Sequence, residues 1–178
     1  MNEVLPIVGL LLILVGLAML SILWTSSRGG PWFPTALARV QKMLRLAEVQ
    51  PNEVVYDLGS GDGRVLIAAA RHFGARAVGV ELDPFRYLWT QLLITVLGLR
   101  RQVRVVWGDL FKQDLSQADV VTVYLLPEAN ARLLIKQRQE LRAGARVVCN
   151  KFYFPGWPPH DRDDETHLYL YRIGGIRR

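Results

Sequence analysis

From residue 54 onwards, short apolar runs alternate with longer stretches in which apolar positions recur every three or four residues. Residues 54–56, 77–81, 103–107, 118–124 and 145–152 are short and rich in Val, Tyr and Trp, and read as five strands. The 118–124 run is almost continuously apolar, as suits a strand covered on both faces. Helical periodicity predicts helices after Thr35 to about residue 47, over 65–71, from Asp83-Pro84 to about 97 with Gly98 as its stop, and to about 141 after the 125–130 segment. Thr35 is the expected N-cap of the first. Strand and helix in alternation predict an α/β domain with a doubly wound, mostly parallel sheet. A last alternating run, 167–173, returns without a helix and is expected to lie antiparallel.

The first strand runs into Asp57-Leu-Gly-Ser-Gly-Asp-Gly-Arg64. A dinucleotide fingerprint needs glycines at 59, 61 and 64, and position 64 is Arg. No G-x-x-x-x-G-K-[ST] string exists, and the two acids of the turn do not have calcium-loop spacing. What remains is an acid ahead of three alternating glycines. An acid there repels a pyrophosphate and suits a ligand carrying positive charge.

Composition adds bounds. The 178 residues suffice for one domain, and 22 Lys+Arg against 16 Asp+Glu leave a net charge of +6 that is scattered rather than clustered. Cys149 is alone, so no disulfide framework or cysteine zinc site is expected, and no other metal site is indicated. Residues 4–24 carry no charge over 21 positions, roughly 31 Å as a helix, which matches a hydrocarbon core of about 30 Å. With Glu3 before it and Arg28, Arg39, Lys42 and Arg45 after it, the pattern predicts a single-pass membrane anchor with the larger domain facing the cytoplasm. The division expected is 1–28 for anchor and linker and 29–178 for the α/β domain.

Further signals follow in order: G-V-E-L-D-P at the end of the second strand, G-D-L-F-K after the third, V-V-T-V-Y-L-L-P-E-A-N through the fourth and G-A-R-V-V before the fifth. P-W-F-P-T precedes them and F-P-G-W follows. From about 32 to 158 the chain resembles a small class I S-adenosylmethionine (SAM)-dependent methyltransferase with a Rossmann-like, seven-strand sheet. It is most similar to the membrane-associated protein-lysine methyltransferases that include the enzyme acting on the ATP synthase c subunit. At its tail, the last helix and one closing strand of that fold are short or absent.

The resemblance implies SAM as cofactor, held by Asp57, Gly59, Ser60, Gly61, Asp62, Gly63, Glu81, Leu82, Asp109, Leu110 and Tyr124. The turn would take the methionine part, Glu81 the ribose, and Asp109 with Leu110 the adenine. Pro34, Thr35, Glu128, Phe154 and Trp157 are the expected acceptor contacts, with Pro34 and Thr35 over the pocket as a lid. For Tyr124, Phe154 and Trp157, packing in the core is an equal alternative to walls of a lysine channel. Asp161, Asp163, Asp164 and Glu165 would attract a basic protein segment. Protein lysine is the implied acceptor, with a small molecule, or SAM binding without turnover, as alternatives. Nucleic acid is not expected, because Tyr124-Leu-Leu-Pro-Glu stands where amino-methylating nucleic-acid enzymes carry N-P-P-[FY]. No residue declares itself a general base; His72, His160 and His167 stand singly in the sequence.

Overall fold

The computed structural model describes residues 6–9, 12, 13, 15, 16, 19 and 33–174. The sheet is built outward from β1 (Val54–Leu58). β1 pairs in parallel with β2 (Arg76–Glu81) on one side and β4 (Val120–Val123) on the other. β3 (Val103–Trp107) extends the sheet beyond β2, and β5 (Arg146–Asn150) extends it beyond β4. β7 (Leu168–Arg172) then runs antiparallel to β5, as the absence of a crossover helix requires. β6 (Asp161–Asp163) pairs antiparallel with β7, giving seven strands in the order β3-β2-β1-β4-β5-β7-β6.

α1 (Leu37–Leu46), α2 (Arg64–Phe73) and α3 (Pro84–Val96) bury their apolar faces on one side of the sheet, in a core that includes Val40, Leu44, Leu66, Ala69 and Ile94. α4 (Pro127–Glu140) and the loop carrying Phe154 cover the other side over Leu58, Val121, Val147 and Tyr171. Arg146 fastens α1 to this frame. Its guanidinium donates to the carbonyls of Ala47 (2.8 Å) and Glu48 (3.0 Å) at the helix C-terminus and pairs with Glu53.

Several expectations need correction. Among the described residues no helix is long and apolar enough to cross a membrane, which overturns the single-pass, cytoplasm-facing topology. Much of the 4–24 stretch on which that rested lies outside the described residues. Thr35 is not a cap: α1 starts after Ala36, and no side chain bonds its first turn. The acidic run at 161–165 is not a free loop, because its first three residues form β6. The closing strand expected to be short or absent at the tail is short, as expected, at three residues. The fourth and fifth strands are shorter than the apolar runs that announced them, since residues 118, 119, 124, 145 and 151–152 are not strand.

Candidate functional site: a cavity at the carboxyl ends of the strands

The carboxyl ends of β1, β2, β3 and β4 open on a cavity of about 720 Å³, where an open parallel sheet places its ligand. It is lined by Asp57 in β1 and the turn that follows (Gly59, Ser60, Gly61, Asp62), by Glu81 at the end of β2 and Leu82 beyond it, by Asp109 and Leu110 after β3, and by Tyr124 after β4. Pro34 and Thr35 line it from the segment before α1. The structure therefore brings together twelve of the sixteen residues singled out from the sequence.

Four fall elsewhere. Gly63 does not line the cavity. It is the N-cap of α2 at φ 78°, and a Cβ there would stand 2.5 Å from Thr90 Cγ2, so close helix packing explains the glycine. Phe154 is fully buried, stacked edge-on against Tyr171 with ring centroids 5.1 Å apart, and Trp157 lies 4.7 Å from the same ring. Phe154 belongs to the core beneath α4 and Trp157, partly buried, packs against it; neither lines the cavity, as the packing alternative has it. Glu128 is exposed at the start of α4, away from the cavity lining. Three of the four acids after Phe154 have cationic partners within the chain: Asp163 bonds Lys42 at 2.9 Å, Glu165 lies 3.9 Å from the same ammonium, and Asp164 pairs with Arg162 at 3.0 Å, while Asp161 accepts the Arg162 N–H at 2.8 Å.

Two carboxylates organise the cavity. Asp57 is buried and accepts from Thr122 Oγ1 at 2.7 Å. Burial pushes its pKa up to about 7, against the lowering effect of the Thr122 bond and with help from the nearby charges of Glu81 and Asp62. No cation among the described residues pairs with it. A buried carboxylate without a cation is costly to ionise, and the cost is relieved by a ligand that brings positive charge.

Glu81 is the hub of the turn. It accepts the Gly61 N–H at 2.7 Å and the Asp83 N–H at 2.8 Å, and Arg86 Nε lies 3.4 Å away. Thr90 of α3 closes the same turn by donating to the Gly61 carbonyl at 3.0 Å. Asp109 Oδ1 caps the short 3-10 turn Leu110–Lys112 through the Phe111 N–H, 2.9 Å, which sets Leu110 and Phe111 along the wall.

Sequence reasoning missed the cations that line this space: Arg64, Arg86, Lys112 and Arg132. Arg64 has the clearest task. Its guanidinium clasps Asp62 and donates to the Thr35 carbonyl at 2.6 Å, joining the glycine turn to the segment above it. Thr35 Oγ1 in turn accepts from Asn150 Nδ2 at 3.3 Å, and Arg39 reaches Asn150 Oδ1 at 3.2 Å. Burial alone would raise the pKa of Asp62, but the bonds and charge of Arg64 outweigh it and hold that carboxyl below its usual value. The nearness of Asp62 and Arg64 in the sequence is the signal that could have found the pair; nothing in it points to Thr35 as the third member. Arg132 lies over the Phe111 ring, 4.0 Å from its centroid, a contact between α4 and the β3 loop that no local pattern announces.

The residues present suit SAM. The cavity has the volume of a cofactor site, and its lining holds a buried acid that pairs with no cation among the described residues, a second acid, and an acid-capped apolar wall at the neighbouring strand ends. The sheet order, the antiparallel closing strand and this cavity define a class I SAM-dependent methyltransferase. By sequence the chain belongs to the family of the ANTKMT methyltransferase domain, whose pattern matches residues 57–161. It is 39% identical over 151 residues to a protein-lysine N-methyltransferase of Saccharolobus islandicus (strain REY15A), covering 81% of this chain and 94% of that one. The Xenopus laevis lysine N-methyltransferase of the ATP synthase c subunit is 31% identical across 83% of this chain, which spans 66% of that protein's length. Among solved structures, a Salinibacter ruber RNA methyltransferase in complex with S-adenosyl-L-homocysteine superposes with a TM-score of 0.78 at 40% identity, covering 82% of this chain and 97% of the other.

Proposed function

We propose that this methyltransferase transfers methyl groups to the ε-amine of a protein lysine, and that its catalytic unit is residues 29–178. The observation that carries the acceptor is the likeness to the Saccharolobus protein-lysine N-methyltransferase over nearly the whole of that protein. The site agrees with it. No histidine or cysteine lines the cavity among the described residues, and transfer of an already activated methyl asks chiefly for alignment.

Bound SAM supplies a methyl already activated on a sulfonium sulfur. Asp57 and the Gly59–Asp62 turn are assigned to its methionine part, Glu81 and Leu82 to the ribose, Asp109 and Leu110 to the adenine. Glu81 also holds the turn rigid through Gly61, so one carboxylate orients ligand and backbone together. Tyr124, Phe33, Pro34 and Thr35 are assigned to the acceptor side. A lysine ammonium must lose a proton to react; from a pKa of about 10.4 that costs roughly 4.6 kcal/mol at pH 7. The apolar surfaces of Phe33, Pro34 and Leu125 disfavour the charged form and reduce that cost.

RNA is the second reading, favoured by the Salinibacter neighbour. Labelled SAM added to cell extract separates the two. Label that survives ribonuclease, is lost to protease and appears as methyl-lysine after acid hydrolysis supports the lysine acceptor. Label removed by ribonuclease overturns it.

A further inference from the structure

We propose that the outer face of α3 docks flat on a lipid bilayer surface that carries anionic headgroups. The face is inverted relative to an ordinary surface helix. Phe85, Leu88, Trp89, Leu92 and Val96 recur at i, i+3, i+4, i+7 and i+11, which places them on one stripe, and they are 45–72% exposed. Thr90 and Ile94, on the opposite side of the helix, are buried. Trp107 at the end of β3 adds to the apolar surface at 61% exposure; its Nε1 donates to the Leu82 carbonyl at 3.0 Å and its ring lies 6.5 Å from Tyr87. A contiguous apolar stripe with two tryptophans marks an interaction surface.

Charge selects the occupant. Between residues 84 and 108 there are four arginines and no acid. Arg86 turns to Glu81 and Asp83. Arg100, Arg101 and Arg104 are exposed, and none joins an ion pair among the described residues. Arg100 Nε donates to Thr95 Oγ1 at 2.8 Å, which sets that guanidinium at the last turn of the stripe. With Arg76 these three arginines line a shallow depression of about 180 Å³ over the start of β2 and β3. A second copy of the chain paired through this stripe would find no acid within 84–108 to meet its arginines in either orientation. The described apolar residues near the N-terminus, Ile7, Leu12, Ile13, Val15 and Met19, are themselves exposed and do not cover it.

An anionic bilayer satisfies all three features: acyl chains take Leu88, Leu92 and Phe85, the interface takes the indoles, and phosphates take the arginines. The contact lies on the surface and needs no spanning segment. Phe85 and Trp107 adjoin Leu82 and Gly108, which line the cavity, so docking holds the cavity mouth beside the headgroups. The proposal does not depend on which acceptor is methylated.

The test uses the full chain with an environment-sensitive thiol dye at Leu92→Cys or, as control, at Ile135→Cys on the exposed surface of α4. Cys149 is fully buried and does not compete for the dye. Vesicles of phosphatidylcholine mixed with phosphatidylglycerol are expected to shift the Leu92→Cys emission to the blue, less so in high salt or with phosphatidylcholine alone, and to leave the Ile135→Cys emission unchanged. Leu88→Ser with Leu92→Ser, and separately Arg100→Glu with Arg101→Glu, are each expected to lower vesicle affinity about tenfold or more while melting temperature and SAM affinity persist. A Leu92→Cys signal no larger than the control overturns the proposal. So does a signal that follows protein concentration without vesicles, which assigns the face to a second copy.

Discussion

At the scale of single residues, Asp57 carries the most consequence. Its folded pKa of about 7 lies above the ordinary value of 3.8, so folding disfavours its ionised form. The stability available below about pH 4 is lost as pH rises through about 7. Asp57→Asn removes that penalty. Cofactor-free Asp57→Asn is expected to melt higher than the parent at pH 8, with the gap closing below pH 4 in a pH series of thermal melts. Binding of a cation favours ionised Asp57, so SAM affinity is expected to rise between about pH 6 and 8 and to release protons in calorimetry. Asp57→Asn should lose roughly 10- to 100-fold in affinity along with that pH dependence. Unchanged affinity would remove Asp57 from the cofactor's contacts. Arg64→Ala is the companion case: it cuts the Thr35 tie while leaving Asp57 and Glu81 in place. KM for SAM or for the acceptor should rise about tenfold with little change in melting temperature.

At the scale of elements, close approach decides more than loop chemistry. Gly79 in β2 has ordinary extended backbone, but a Cβ there would meet Leu66 Cδ1 at 2.5 Å and Ser60 Oγ at 2.7 Å. The residue lets α2 and the glycine turn lie directly on the strand. Gly79→Ala is expected to destabilise the fold by about 1–3 kcal/mol, measured by denaturant unfolding, and to weaken SAM binding because the turn must move. Phe154 supplies the contrast. Phe154→Ala should cost about 3–5 kcal/mol of stability yet leave KM for SAM and acceptor unchanged at temperatures where the protein is folded. A change in KM with stability intact would return Phe154 to the site.

At the scale of the whole molecule, the acids of the tail act within the protein. Lys42 of α1 reaches Asp163 and Glu165, so these charges tie the β6 edge of the sheet to α1. Asn or Gln at 161, 163, 164 and 165 is therefore expected to leave turnover and its salt dependence unchanged, since exposed pairs contribute little. A loss of activity confined to low salt would instead restore the tail as an acceptor-steering surface. The same scale shows what β6 adds: it pairs along one side of β7, and the paired residues 161–163 are what the sequence presented as an acidic loop.

Periodicity alone determined the alternation of strands and helices, the parallel sheet and its antiparallel return, because each strand and helix must bury a face whose spacing is written locally. The strand–turn–helix at 54–73 and the acids at 57, 81 and 109 were legible for the same reason: parallel strands all deliver their carboxyl ends to one face, so residues far apart in sequence meet there by topology. Tertiary structure alone decided what depends on contact between elements. Gly63 answers to Thr90 on α3, Arg64 to Thr35 ahead of α1, and Arg132 to Phe111, and no window of sequence contains both partners. The aromatic residues at 154 and 157 read alike as wall or core, and the Tyr171 ring lying against both is what makes them core. The apolar stripe of α3 is the reverse case. Its spacing was plain in the sequence, but a helix with apolar residues on every side does not say which side the sheet takes, and burial of Thr90 and Ile94 is what leaves Leu88, Trp89 and Leu92 outside.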